Sequence, residues 1–118
     1  MAYKVFISVP MLGRTDEEIS IAMDDAKRKV KNLLADFRNI RAGEIEFIET
    51  HLPIPEGKNR LWALGRALQL LSEANLVFFC DGWTKSDGCC IEHEAAIRYG
   101  ISYIDEQHSC VKFNYSEF

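Results

Sequence analysis

Short apolar runs alternate along the chain with longer amphipathic segments. Four runs, at 4–9, 45–48, 75–80 and 101–104, are rich in β-branched and aromatic residues and end at proline, glycine or polar positions. Between them, apolar residues recur at spacings of three and four, which predicts helices. A strand after each helix is the pattern of a parallel sheet whose crossovers are helical.

The first amphipathic segment predicts a long helix that begins at a capping box, with Thr15 as the cap and Glu18 three residues later. One apolar stripe follows over roughly six turns, and we expect it to pack into the core: Ile19, Met23, Ala26, Val30, Leu33 and Phe37. Because the helix is long for so small a chain, we expect its far end to meet a partner subunit.

Two further helices are predicted at 59–73 and 88–99, and a short edge strand at 111–113. Leucines mark one side of the earlier helix: Leu61, Leu64, Leu68 and Leu71. Gly100 ends the later helix. Residues 1–118 are therefore predicted to form a single α/β domain.

The predicted architecture is a three-layer open parallel sheet of 4–5 strands, flavodoxin-like or Rossmann-like, with helices on both faces. With strand order 2-1-3-4, the switch in strand order lies between strands one and three, where open sheets bind ligands at the carboxyl ends of the strands. The loops at 10–14 and 81–88 border this point, and His51 lies beside them.

Composition narrows the function classes. The 118 residues are 47% hydrophobic and carry a net charge of -4, and no apolar run approaches the roughly 20 residues of a membrane helix. No signal-peptide pattern precedes the first strand, so we expect a cytoplasmic protein without a membrane partner. The basic stretch Lys27-Arg28-Lys29 is interleaved with acidic residues, which indicates a solvated helix face and not a surface for duplex nucleic acid.

The four cysteines contain no C-x-x-C pair, which favours reduced thiols over disulfides or structural zinc. We see no ligand set for a metal or an organic cofactor, and expect neither.

The start of the third helix carries the most informative polar residues. Ser86 and Gly88 could hold a phosphate or sugar hydroxyl at the exposed amides, or Ser86 could simply cap the helix. Glu92 falls on the inward stripe with Cys89, Ala96 and Tyr99. A carboxylate is unusual there and suggests a specific role, because burying a charged group without a partner costs free energy. A surface glutamate is the alternative. Glu94 points to the opposite side, so the two glutamates do not form an acid–base pair.

Two segments resemble the nucleoside 2-deoxyribosyltransferase-like superfamily, closest to its small bacterial and phage branch of unknown function. The first is Ile7-Ser8-Val9-Pro10-Met11-Leu12-Gly13. The second lies at 82–94 and follows the signature S-x-G-x-x-x-E with alanine four residues later, here Ser86, Gly88, Glu92 and Ala96. The resemblance spans roughly residues 3 to 104.

The resemblance implies a small-molecule substrate, a nucleoside or nucleotide, and Glu92 as the nucleophile that attacks the anomeric carbon and forms a glycosyl ester. It also implies that Ser86 contacts the 5′-phosphate and that His51 lies in the ligand pocket. The other substrate-binding candidates belong to its motifs: Ser8, Pro10, Met11, Gly13 and Gly88. The resemblance also implies a homo-oligomer that needs no cofactor.

The chain departs from the family's pattern at several positions. Ala67 stands where characterised enzymes carry an aspartate, and Asn75 replaces the acid that opens strand three. Val5 and Val9 replace a tyrosine and a glycine. Asp81 is close enough in sequence to substitute for the missing carboxylate, so we take it as a second catalytic candidate.

Three hypotheses follow. The first is an enzyme that cleaves or transfers an N-glycosidic bond; the others are a non-catalytic nucleotide-binding module and an oligomeric interaction protein. If the first holds, we expect the Glu92 carboxylate to line a cleft within hydrogen-bond reach of Asp81, Ser86 or Tyr3.

Overall fold

The described part of the chain contains five strands and three α-helices. The structure is a computed structural model that describes residues 2–51 and 53–114, so Met1, Leu52 and residues 115–118 of the predicted domain lie outside it. The strands are β1 (Tyr3–Ser8), β2 (Ile45–Phe47), β3 (Leu76–Phe79), β4 (Ser102–Asp105) and β5 (Cys110–Lys112). The helices are α1 (Asp16–Arg38), α2 (Arg60–Leu71) and α3 (Asp87–Arg98), and short 3-10 helices cover Ala42–Glu44 and Trp83–Lys85.

All five strands join one sheet in the order β2-β1-β3-β4-β5. The first four strands are parallel, which confirms the order 2-1-3-4. The expectation of a wholly parallel sheet is wrong at its edge, because β5 pairs antiparallel with β4. Residues 106–109 form the connection, and a turn this short can only reverse the chain.

One face of the sheet packs against α1. Alternate strand residues point to this side, among them Val5, Ile7, Leu76, Phe78 and Ile104. The predicted capping box is confirmed: Glu18 N donates to Thr15 Oγ1 at 3.1 Å, and Thr15 N donates to Glu18 Oε1 at 2.9 Å. The predicted stripe is correct through Val30 but ends differently, because Leu34 is fully buried and Phe37 is 74% exposed.

The opposite face packs against α2 and α3. Phe6, Val77 and Phe79 meet Leu71, Cys89 and Ala96 there, so helices cover both faces as predicted. The predicted leucine face of α2 packs fully only at its C-terminal end. Leu71 is buried, but Leu61 at the other end is 72% exposed.

The carboxyl ends of β1, β2, β3 and β4 lie along the same edge of the sheet because these strands are parallel. The N-termini of α2 and α3 return to this edge from the loops that follow β2 and β3. Among residues 2–51 and 53–114, no helix has the length and apolar character needed to cross a membrane.

Candidate functional site

A cavity of about 620 Å³ opens at the carboxyl edge of the sheet, between the end of β1 and the helices α2 and α3. Five of the site residues predicted from the sequence line it: Ser8, Met11, Ser86, Gly88 and Glu92. Two departures from the family pattern, Val9 and Ala67, also lie on its wall. The cavity therefore lies at the switch in strand order where the topology predicts a ligand.

Glu92 is buried on the wall of this cavity, with 8% of the residue exposed. It shares the inward side of α3 with Cys89 and Ala96, as the sequence spacing predicts, whereas Tyr99 is 84% exposed and does not belong to that stripe. The Ser8 hydroxyl donates a hydrogen bond to Glu92 Oε1 at 2.6 Å. Strand alternation explains the contact, because Ser8 points to the same side of the sheet as Phe6.

Burial raises the pKa of Glu92 to about 7, and the hydrogen bond from Ser8 opposes this rise. Removal from water disfavours the charged form, whereas a donor aimed at the carboxylate favours it. Both protonation states are therefore populated near neutral pH. Carboxyl groups with this property are typical of sites that bind or transform a ligand.

Ser86 and Gly88 lie at the start of α3. Ser86 caps the helix, since its hydroxyl accepts a hydrogen bond from Cys89 N at 3.4 Å. The capping interpretation is thus correct, and the same residue lines the cavity. A Cβ atom built on Gly88 would meet no atom within 4 Å, so the space beside this glycine is open where it lines the cavity.

The other predicted site residues lie at the same edge but not on the cavity wall. The Pro10 carbonyl accepts a hydrogen bond from Arg14 Nη1 at 3.0 Å, and Gly13 forms a turn with φ +79°. His51 Nε2 is 3.7 Å from Asp16 Oδ1 at the start of α1. Asp81 is exposed, and its backbone N–H donates to Glu106 Oε1 at 2.9 Å.

The structure differs from the expectation about which residue bonds to Glu92. The hydrogen bond comes from Ser8 and not from Asp81, Ser86 or Tyr3. Tyr3 packs on the α1 side of the sheet, opposite Glu92. Asp81 lies beyond the end of β3, where the chain turns toward the β4–β5 connection.

Several cavity residues were not predicted from the sequence. Arg60, Trp62 and Arg66 come from α2, Asp87 and Ile91 from α3, and Thr50 from the loop after β2. Thr50 Oγ1 donates to the Ile7 carbonyl at 3.4 Å, which ties this loop to β1. The position of Arg60 can be predicted from the sequence, because the first residue of a helix that follows a parallel strand lies at the carboxyl edge of the sheet.

A second polar cluster lies on the α3 side of β4. Asp105 is 4% exposed and accepts hydrogen bonds from Trp83 Nε1 at 2.8 Å and from His108 N at 3.1 Å. His108 Nδ1 is 2.7 Å from Oδ2 of Asp105. Burial opposes ionisation of Asp105, but these hydrogen bonds outweigh it and lower its pKa. His93 stacks on the Trp83 ring at 4.1 Å between centroids.

The β4–β5 turn holds the loop that leads into α3. Gln107 Oε1 accepts a hydrogen bond from Gly82 N at 3.0 Å, and Gln107 Nε2 donates to Thr84 Oγ1 at 2.9 Å. The Glu106 carboxylate accepts a hydrogen bond from Asp81 N and forms an ion pair with Lys29 of α1. Together with Asp105, this turn fixes the segment between β3 and Ser86.

Within residues 2–51 and 53–114, no three His, Cys, Asp or Glu side chains are grouped closely enough to hold a metal ion. No protein-family model, curated protein or solved structure matches this chain.

Proposed function

We propose that this protein cleaves or transfers the N-glycosidic bond of a nucleoside or nucleotide, with Glu92 as the nucleophile. The supporting observation is a buried carboxyl group on the wall of a 620 Å³ cavity, held by the Ser8 hydroxyl at 2.6 Å. The type of reaction is proposed from the resemblance of residues 82–94 to the signature of the nucleoside 2-deoxyribosyltransferase-like superfamily.

The reaction begins when the Glu92 carboxylate attacks the anomeric carbon of the sugar. The bond from that carbon to the base breaks, its electron pair goes to the base, and a glycosyl ester forms on Glu92. Water or a second base then attacks the same carbon and releases the carboxylate. Ser8 orients the carboxylate, and its hydrogen bond keeps part of the population ionised although the group is buried.

The polar rim of the cavity binds the rest of the substrate. Ser86 and Gly88 contact a phosphate or sugar hydroxyl at the start of α3, where helix amides attract anions. Arg60 and Arg66 line the α2 wall and supply positive charge for a phosphate. Asp81, His51, Pro10 and Gly13 lie off the cavity wall and have no part in the bond-breaking step of this proposal.

The test is release of free base from a panel of deoxynucleosides and their monophosphates. Glu92→Gln keeps the shape of the side chain and removes the nucleophile, so it should abolish base release. Glu94→Gln is the matched control, because Glu94 is an exposed carboxylate on the same helix. Absence of base release by the wild type, or full activity in Glu92→Gln, would exclude this function.

A non-catalytic nucleotide-binding module is the second candidate. It is favoured by Ala67, which lines the cavity where the resembling enzymes carry an aspartate. Such a module would bind nucleotides measurably by calorimetry without releasing base. Detection of a glycosyl ester on Glu92 by mass spectrometry would decide against it.

A further inference from the structure

Few side chains on the cavity wall can donate or accept a proton during catalysis. Among the described residues that line it, Glu92 is the one buried carboxyl group. The other carboxyl group on the wall, Asp87, is exposed in the first turn of α3 and lacks the protected setting of a catalytic acid. Burial raises the pKa of the Cys89 thiol, which makes it a poor proton donor. The remaining polar side chains are hydroxyls and the two guanidinium groups, which do not give up protons at neutral pH.

The lack of a second buried carboxyl group on the wall limits which kinds of base can leave. Glycosidases that work through a glycosyl ester ordinarily use two carboxyl groups, one as the nucleophile and one to protonate the departing group. Glu92 cannot do both in the same step. A neutral base would therefore have to leave as an anion, without the factor of about 10² to 10⁴ that a positioned acid supplies. A base that already carries a positive ring nitrogen leaves as a neutral molecule and needs no proton.

The shape and charge of the wall suit such a ring. Trp62 is 39% exposed and Ile91 is 45% exposed, and both present apolar surface to the cavity. A planar cation over an indole face is stabilised by the ring's quadrupole. The Glu92 carboxylate supplies the opposite charge near the bond that breaks. Arg60 and Arg66 would repel a bare cation but are compensated by a phosphate on the same substrate.

We infer that the substrate is a nucleotide whose base is a quaternised aromatic ring, such as a pyridinium or an N7-alkylated purine. This inference rests on the proposed function, because it takes Glu92 as the nucleophile. Glu92 forms a bond to the anomeric carbon as the carbon–nitrogen bond breaks. The electron pair of that bond neutralises the ring nitrogen. Water then hydrolyses the ester, its hydroxyl stays on the sugar, its proton passes to solvent, and Glu92 is an ionised carboxylate again.

A matched pair of substrates tests the inference. Guanosine monophosphate and 7-methylguanosine monophosphate differ by one methyl group, which makes the second base cationic. Both are assayed in ribose and deoxyribose forms, and nicotinamide mononucleotide serves as a pyridinium substrate. The rate of each compound in buffer without protein is subtracted. We expect kcat/KM for the methylated member to exceed that of its partner by at least about 100-fold, and Glu92→Gln to lose the activity on every cationic compound.

The outcomes separate the two proposals. Similar kcat/KM values for both members of the pair, with activity lost in Glu92→Gln, would overturn the inference about the leaving group and leave the nucleophile in place. Cleavage of cationic compounds that is unchanged in Glu92→Gln, or no cleavage of any compound, would overturn the proposed function and the inference with it.

Discussion

The Ser8 hydroxyl donates to Glu92 Oε1 at 2.6 Å and joins the last residue of β1 to the second turn of α3. This bond connects two segments that are 84 residues apart in the chain. It opposes the rise in the pKa of Glu92 that burial causes. The balance between the two effects sets how much carboxylate is present at neutral pH.

Ser8→Ala removes the donor and leaves the burial, so the pKa of Glu92 should rise above its wild-type value. A hydrogen bond to a charged group contributes about 1.5 to 3 kcal/mol, so we expect the catalytic rate at neutral pH to fall by about tenfold or more. The rising limb of the pH profile should move to higher pH. Carboxyl carbon NMR measures the pKa directly, without reference to activity. Ser20→Ala on the exposed side of α1 is the control, and an unchanged pKa in Ser8→Ala would contradict the prediction.

Glu92 should also make folding stability depend on pH. Its pKa is about 7 in the folded protein and 4.5 as the reference value, so the folded state binds the proton more tightly. The resulting stability is fully present below pH 4.5 and is lost as pH rises through about 7, a difference of about 3 kcal/mol.

Glu92→Gln should therefore stabilise the protein relative to the wild type at mildly alkaline pH and lose this advantage in acid. Urea unfolding at both pH values measures it, and the difference between the proteins cancels the titration of other groups. Glu94→Gln should retain the pH dependence of the wild type. A free energy difference between wild type and Glu92→Gln that is constant with pH would show that Glu92 is not buried as described.

The sequence predicts the parts of this site that depend on local spacing. The inward position of Glu92 follows from its offsets to Cys89 and Ala96 on one helix, and the cap at Ser86 follows from residue type. The pairing of Ser8 with Glu92 does not, because it depends on how closely α3 packs on β1. Leu61 shows the same limit: its spacing places it on the apolar side of α2, but it lines the open cavity and is 72% exposed.

Asp105→Ala should destabilise the fold. The substitution leaves the Trp83 indole N–H and the His108 amide without their acceptor, and Trp83 is buried. Loss of a buried charged acceptor with several donors is expected to cost about 2 to 4 kcal/mol. Urea unfolding followed by circular dichroism measures the loss, since Trp83 fluorescence itself changes. Asp36→Ala, at an exposed position of α1, should change stability little, and an equally small effect at Asp105 would contradict the assigned role.

Arg60 and Arg66 should distinguish phosphorylated from unphosphorylated substrates. Both line the α2 wall of the cavity, and Arg66 Nη1 is oriented by a 3.1 Å hydrogen bond to Gln69 Oε1. Arg60→Ala should raise KM for a monophosphate by about tenfold, the effect of one charge-assisted hydrogen bond, and leave KM for the corresponding nucleoside nearly unchanged. Because the guanidinium does not reach the reacting atoms in this proposal, kcat should stay close to the wild-type value. Steady-state kinetics on both substrates measures the split, with Arg98→Ala on the outer side of α3 as the control. An equal rise in KM for nucleoside and monophosphate would show that Arg60 shapes the cavity and does not bind phosphate.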